Sequence, residues 1–139
     1  MNIGEIENLI ITTLQEAFPE REVASFPTKF EDYTFTSPIG CLLVKYNYTN
    51  FSEQKTIWQV EQNGTVKFSV IAGYRGLFSF GETHEPQQKI RNVLKGLEIF
   101  GKKIVLGKEE FLSEINGDVY VGLECSILIT EEDENDYEI

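Results

Sequence analysis

The chain has 139 residues, of which 41% are hydrophobic and 12% aromatic, so it carries enough apolar surface for one folded core and is not a disordered chain. Its 23 acidic residues outnumber 12 basic ones and give a net charge of −11, which argues against a nucleic-acid binder held by Lys and Arg contacts. No apolar run approaches the roughly 20 residues of a membrane span, and no signal-peptide pattern opens the sequence. We expect a soluble protein made in the cytosol, with Cys41 and Cys125 as free thiols because they form no CxxC or metal-binding spacing.

The first residues of the chain show apolar side chains at helical spacing. Apolar residues at Ile3, Ile6, Ile10 and Leu14 predict a helix over residues 2–18, with a capping box at its start and Pro19 after its end. A short extended piece over 22–26 and a strong strand over about 39–48 follow, separated by an irregular stretch.

The next segment, "IWQVEQNGTVKFSV" (57–70), contains Asn63-Gly64, which is a strong hairpin signal. A two-residue turn there would pair apolar with polar side chains across the hairpin, so each face of the sheet would be half polar and this strand register is disfavoured. A three-residue loop or one long strand keeps Trp58, Val66, Phe68 and Val70 on one face. A strand from 55 to 73 would span about 60 Å, so a bulge or bend near Gly64 is expected.

A second helix is predicted over about 84–100, with Thr83 able to cap its start and Gly101 ending it. "KIVLGKEEFLSEI" then predicts one strand or two short ones. After the Asn116-Gly117 turn comes a strand with strict alternation. Its odd-numbered residues share one face: Val119, Val121, Leu123, Cys125, Ile127 and Ile129. We predict a single domain over 1–130 and a disordered acidic tail over 131–139.

In its pattern and order, the sequence resembles the tail-terminator proteins of long-tailed bacteriophages, including lambda-like phages, and the related tail proteins of Mu-like prophages. The resemblance covers roughly residues 3–130. It rests on five stretches: the opening helix "IENLIITTLQEAF", the strand "SPIGCLLVKYNYT", the arm "IWQVEQNGTVKFSVIAGYRG", the helix "EPQQKIRNVLKGL" and the closing strand "NGDVYVGLECSILIT". In that family the second arm is one long bent strand, and this interpretation is adopted here.

The resemblance implies an α+β fold in which two helices pack on one face of a mainly antiparallel, strongly twisted sheet with one long β-hairpin. It also implies a structural virion protein that forms a six-fold ring, caps the tail tube and ends its polymerisation. The implied partners are further copies of the chain, the tail tube protein and a head-completion protein. DNA would pass through the ring without specific binding, as the acidic balance allows, and no cofactor, metal or membrane is implied.

Groups that could carry chemistry each have a simpler interpretation. His84 is the only histidine, and although Glu82 and Glu85 flank it, a polar residue in a first helical turn is favoured over a metal ligand. "GYRG" (73–76) lacks both the Gly-Lys-Ser/Thr ending and the following helix of a phosphate loop, so a turn is favoured. Cys125 is in phase with aliphatic residues and predicts a small core side chain. The carboxylates show no acid–base spacing. We therefore expect no enzyme.

Aromatic and apolar residues outside clear periodic elements are the candidate interface residues, because interface centres favour such side chains. Tyr48 and Phe51 belong to the predicted hairpin tip, where this interpretation is preferred. The interface interpretation is less strongly favoured for the other two segments, for which the alternative is a lid folded back over the sheet. The full candidate set is Tyr48, Phe51, Leu77, Phe78, Phe80, Tyr33 and Phe35.

Two further functions stay open. One is another adaptor of a phage-like particle, such as a head–tail connector or a baseplate component. The other is a small enzyme or ligand-binding domain with a pocket between helix and sheet.

Overall fold

The computed structural model describes residues 2–51, 63–76 and 80–129, with the side chains of 80 and 81 left out. In chain order the elements are α1 (Ile3–Ala17), β1 (Glu22–Ser25), β2 (Gly40–Phe51), β3 (Gly64–Tyr74), α2 (His84–Lys95), β4 (Glu98–Ile99), β5 (Lys102–Lys103), β6 (Val105–Ile115) and β7 (Asp118–Ile129). Short 3-10 turns at Phe30–Asp32 and Phe80–Thr83 complete the described elements.

Five strands form the main sheet, in the order β1-β2-β3-β7-β6, and β4 and β5 form a separate small hairpin. β1 runs parallel to β2, and every other neighbouring pair of the main sheet is antiparallel. The architecture is therefore α+β, with a mixed but mainly antiparallel sheet and the long β2–β3 hairpin that the sequence predicted.

The helices and one sheet face enclose the main core. Ile6, Ile10 and Leu14 of α1 and Ile90 and Leu94 of α2 are fully or almost fully buried. They pack on the predicted odd-numbered residues of β7, all of which are at most 7% exposed, and on Val66, Phe68 and Val70 of β3. The predicted phase of β7 is confirmed, because the alternation of a strand places these side chains on one face. Trp58, predicted beside them, lies outside the described residues.

The helix face also contains a chain of polar contacts that runs from the buried Tyr74 and Gln87 to the surface. Tyr74 Oη donates a hydrogen bond of 2.5 Å to Gln87 Oε1, and Gln87 Nε2 donates to Glu109 at 2.9 Å. Arg91 Nη1 pairs with the other oxygen of Glu109 at 2.6 Å. These contacts link β3, α2 and β6, so the second helix is held by directed bonds as well as by apolar packing.

α2 ends earlier than predicted. The sequence placed the end of the second helix at about Phe100, but the helix stops at Lys95, and Gly96 N–H bonds back to the Asn92 carbonyl at 3.3 Å. Glycine has a low helix propensity, and the residues after it form the β4–β5 hairpin. Phe100 (φ 51°) and Gly101 (φ 77°) adopt left-handed conformations in that hairpin, which a continuing helix would not contain.

The β2–β3 hairpin contains an irregularity that the sequence did not predict. Gly64 pairs with Phe51 on one side and with Ile129 on the other, and β3 pairs with β7 from Gly64 to Tyr74 without a shift in register. The irregularity of the described hairpin is in the other arm, between Tyr46 and Tyr48. The part of the predicted long strand over 55–62 lies outside the described residues.

Candidate assembly surface

Residues 26–39, which we call the lid, cover one half of the second sheet face. Phe30 stacks on Phe26 with 5.1 Å between ring centres and meets Tyr120 of β7 edge-on at 5.0 Å. Phe35 is only 4% exposed, and Tyr33 donates a hydrogen bond to the Glu22 carboxylate. A second, smaller core lies under the lid, formed by Phe35 with Cys41, Leu43, Ile71 and Tyr120.

Arg75 fastens the lid to the sheet. Its guanidinium donates to the carbonyl oxygens of Phe35 at 2.6 Å and Ser37 at 2.9 Å, and it lies 4.2 Å from the centre of the Phe35 ring. The Arg75 N–H also bonds to the Ile39 carbonyl, and Asp118 lies 3.9 Å from the guanidinium. The first half of "GYRG", Gly73 and Tyr74, ends β3, and only Arg75 and Gly76 follow the predicted turn. The local sequence does not indicate the structural role of the arginine.

Tyr33 and Phe35, which were candidate interface residues, are therefore part of the lid and do not form a free surface. Phe35 is buried and Tyr33 is partly buried in the isolated chain. Leu77 and Phe78 lie outside the described residues, and Phe80 is described only as the first residue of the turn Phe80–Thr83. Their predicted contacts stay predictions.

Tyr48 is 48% exposed, and its position depends on the register shift at Asn47. Tyr46 pairs with Phe68 and packs against the main core, whereas Tyr48 pairs with Lys67, which shares the second face with Ser69. The extra residue, Asn47, donates from Nδ2 to Ser69 Oγ at 2.8 Å. The bulge thus turns Tyr48 away from the helices and onto the second sheet face.

Phe51 is 58% exposed and lies at the end of β2, on the helix side. A Cβ atom on the paired Gly64 would come within 3.3 Å of the Phe51 ring and 3.1 Å of the Ile129 side chain. The Phe51 ring therefore covers a glycine at the end of the sheet. Tyr48 and Phe51 are both available to a partner, but they face opposite sides of the same hairpin end.

The half of the second face that the lid leaves uncovered is here called the open sheet surface. Tyr48, Leu112 and Leu128 each expose 45–48% of their surface there. A groove of about 160 Å³ crosses this surface, and Lys45, Ser69, Lys108 and Glu124 are among the residues that line it. The polar phase of β3, with Lys67 and Ser69, was readable from sequence. The contributions of Lys45 and Lys108 were not recognised.

No reactive constellation appears in the described part of the chain. Cys41 and Cys125 are buried free thiols, and burial raises the pKa of each to about 12, so neither is an activated nucleophile. Among the described residues no group of three or more His, Cys, Asp or Glu is placed to hold a metal ion. His84 is exposed in the first turn of α2, as predicted.

Arg21 is the one side chain of the described set whose buried nitrogen, Nη1, makes no hydrogen bond. Its guanidinium lies 4.7 Å from the centre of the Tyr74 ring and 5.8 Å from that of Phe18. These cation–π contacts offset part of the cost of removing the charge from water.

Comparison with known families decides the relationship. The family described as Gp37 protein matches residues 10–138, which is nearly the whole chain. The chain belongs to the Gp37 protein family. This is a phage-associated family, so the phage relationship expected from the resemblance is confirmed at that level. The comparison with curated proteins gives no match.

None of the helices in the described ranges is long and apolar enough to cross a membrane.

Proposed function

We propose that this chain is a structural tail protein of a phage or prophage particle. It forms a ring that caps the tail tube, ends tube polymerisation and offers the surface to which the head is joined. Its partners are further copies of itself, the tail tube protein and a head-completion protein. The protein carries out no reaction and needs no cofactor.

The exposed end of the β2–β3 hairpin carries this proposal. The two cores already bury the side chains that stabilise the domain, yet Tyr48 and Phe51 keep about half of their surface in solvent at one end of the sheet. Exposed aromatics that the core does not need are typical of protein–protein contacts. Two such residues on opposite sides of one hairpin end suit a subunit that meets one neighbour on each side.

Family and element order give independent support. The chain belongs to a phage-associated family, and its order of helix, hairpin, helix and closing strand is the order on which the resemblance to tail terminators rests. The charge of −11 suits a ring through which DNA passes without adhering.

The test is replacement of Tyr48 and Phe51 by Ser in a phage or prophage that depends on this chain. Each aromatic at an interface centre contributes about 2 kcal/mol or more, so the double variant should fail to cap tubes. Electron microscopy should show tails of uncontrolled length without heads, while circular dichroism of the purified variant shows a folded protein. Tyr48→Ser and Phe51→Ser made singly show which side of the hairpin end matters more.

The matched control is Phe100→Asn, which removes an equally exposed aromatic (54%) from the β4–β5 hairpin and keeps a residue that tolerates the left-handed conformation. It should leave tails normal. Normal tails from the double variant would remove this hairpin end from the interface. Tails of normal length that fail to join heads would favour another adaptor role, such as a head–tail connector.

A further inference from the structure

We infer that the open sheet surface of one copy binds the outer side of helix α1 of a second copy, and that this contact joins neighbours in the ring. The inference rests on the proposed function, because it names the surfaces through which the ring would form. It is carried by the charge, spacing and placement of these two surfaces.

The open sheet surface is locally basic in an acidic protein. Lys45, Lys67 and Lys108 project from it, and Lys67 and Lys108 pair with Glu124 at 3.8 Å and Glu110 at 3.1 Å. Lys45 instead places its Nζ 5.0 Å from the centre of the Phe26 ring at the border of the lid. The open sheet surface thus has three lysines and two glutamates, a net charge of about +1, whereas the chain as a whole carries −11.

The outer side of α1 has the opposite character. Glu5, Leu9, Thr12 and Glu16 follow one another at helical spacing, so they form one stripe on the side away from the buried Ile10 and Leu14. All four are exposed, Leu9 by 41%, and Ile3–Ala17 contains glutamates but no lysine or arginine. The stripe thus offers two carboxylates with an apolar side chain between them.

The spacing of the charges agrees. Glu5 and Glu16 are eleven residues apart on one helix, which is about 16 Å at 1.5 Å per residue. Lys45 and Lys108 lie on β2 and β6, which three strand spacings of about 4.8 Å separate, or about 14 Å. A helix lying across the strands therefore brings one glutamate near each lysine and places Leu9 over the groove between them.

The placement of the two surfaces explains why such a contact builds rings. α1 packs on the helix face of the sheet, and the open sheet surface is the opposite face. A contact between opposite sides of two copies is heterologous, and it closes into a ring when the rotation between copies allows. The opposite charges of the two surfaces favour this orientation electrostatically, although each copy as a whole is acidic.

The experiment reverses the charges of each surface in turn. One variant carries Glu5→Lys and Glu16→Lys, and the other carries Lys45→Glu and Lys108→Glu. Sedimentation velocity at increasing protein concentration should show assembly of the unmodified chain and an association of each variant that is weaker by about tenfold or more. In an equimolar mixture, each reversed surface meets a complementary one, so assembly should return. The milder pair Glu16→Lys and Lys108→Glu serves if either double variant fails to fold.

Bismaleimide cross-linking gives a second reading. A chain with Leu9→Cys mixed with one carrying Leu112→Cys should form a covalent dimer, because both native thiols are buried. Phe100→Cys in place of Leu9→Cys should not. The sedimentation experiment overturns the inference in any of three cases: the unmodified chain stays monomeric, either charge-reversed variant assembles normally by itself, or the mixture of the two variants stays dissociated. Tail phenotypes separate the two claims. If the mixed variants assemble but a phage carrying either variant makes normal tails, the capping function is refuted. If the mixed variants stay dissociated but the tails are overlong, this interface alone is refuted.

Discussion

At the scale of single residues, burial is the main influence on the acidity of the two cysteine thiols. Cys125 lies among aliphatic side chains of the main core, and Cys41 lies under the lid beside Tyr120. Burial disfavours the thiolate and raises the pKa of both groups from 9.0 to about 12. The sequence predicted this role for Cys125 from its phase, whereas the face of Cys41 could not be assigned.

The raised pKa values predict a loss of stability in alkali. Between pH 9 and pH 12 the unfolded chain releases thiol protons that the folded chain keeps, so the free energy of unfolding falls as the pH rises through this window. Burial raises the pKa of Tyr120 in the same direction, from 10.0 to about 12. Urea denaturation at about pH 7.5, 9 and 10.5 measures the fall.

The control for this prediction is the variant with Cys41→Ala and Cys125→Ala. It should be less stable at every pH, because each change leaves a small cavity, but its stability should fall less steeply with pH. Equal slopes for the variant and the unmodified chain would show that the thiols do not dominate the alkaline loss.

At the scale of elements, the lid is held both by the apolar packing of Phe30 and Phe35 and by hydrogen bonds from Arg75. The Arg75 guanidinium makes two hydrogen bonds to lid carbonyls and stacks on Phe35. Hydrogen bonds to a charged group contribute about 1.5–3 kcal/mol each, so Arg75→Met should loosen the lid and lower the stability by about that amount. Hydrogen exchange over 26–39 should quicken, and trypsin should cleave sooner after the exposed Lys29.

Arg91→Met is the matched control for the lid. It also replaces an arginine by methionine, but on the helix face, where Arg91 pairs with Glu109. Hydrogen exchange in the lid should therefore stay unchanged. If Arg75→Met leaves exchange over 26–39 unchanged as well, apolar packing of Phe30 and Phe35 is enough to hold the lid.

How far each element could be predicted depends on whether its signal is local. The phase of β7 was predictable because strict alternation distinguishes the two faces of a strand. The bulge at Asn47 was not predicted, because it depends on a side-chain bond to Ser69 of the neighbouring strand. The bulge expected near Asn63-Gly64 stays a prediction, since residues 55–62 lie outside the described part of the chain. The lid has no periodicity, and its main fastening comes from Arg75, some forty positions along the chain.

The same reasoning divides the candidate interface. Tyr48 and Phe51 could be singled out as apolar residues beside polar turn residues, and both are exposed. They face opposite sides of the hairpin end because they are three residues apart in a strand, where side chains alternate between the faces. Which side each one faces is set by the bulge at Asn47, and that could not be read from sequence. Lys45 and Lys108 lie 63 positions apart in the chain and come together only because β2, β3, β7 and β6 are neighbours in that order.

At the scale of the whole molecule, the charge of −11 opposes both folding and association. Six of the 23 acidic residues stand in the run 131–138, and the rest are distributed along the chain. Added salt screens the repulsion among them, because the Debye length falls from about 30 Å at 0.01 M to about 3 Å at 1 M. The folded state holds the charges of its described residues closer together than the unfolded chain does, so it gains more from screening.

We therefore expect the thermal midpoint of dilute protein at neutral pH to rise with salt. Screening that recovers about 1 kcal/mol should raise the midpoint by about 2–4 °C between about 10 mM and 500 mM NaCl. Near the sequence pI of 4.5, where the net charge is small, the same salt should change the midpoint little, which is the internal control. A midpoint that falls with salt at neutral pH would mean that close pairs such as Arg91–Glu109, at 2.6 Å, outweigh the diffuse repulsion.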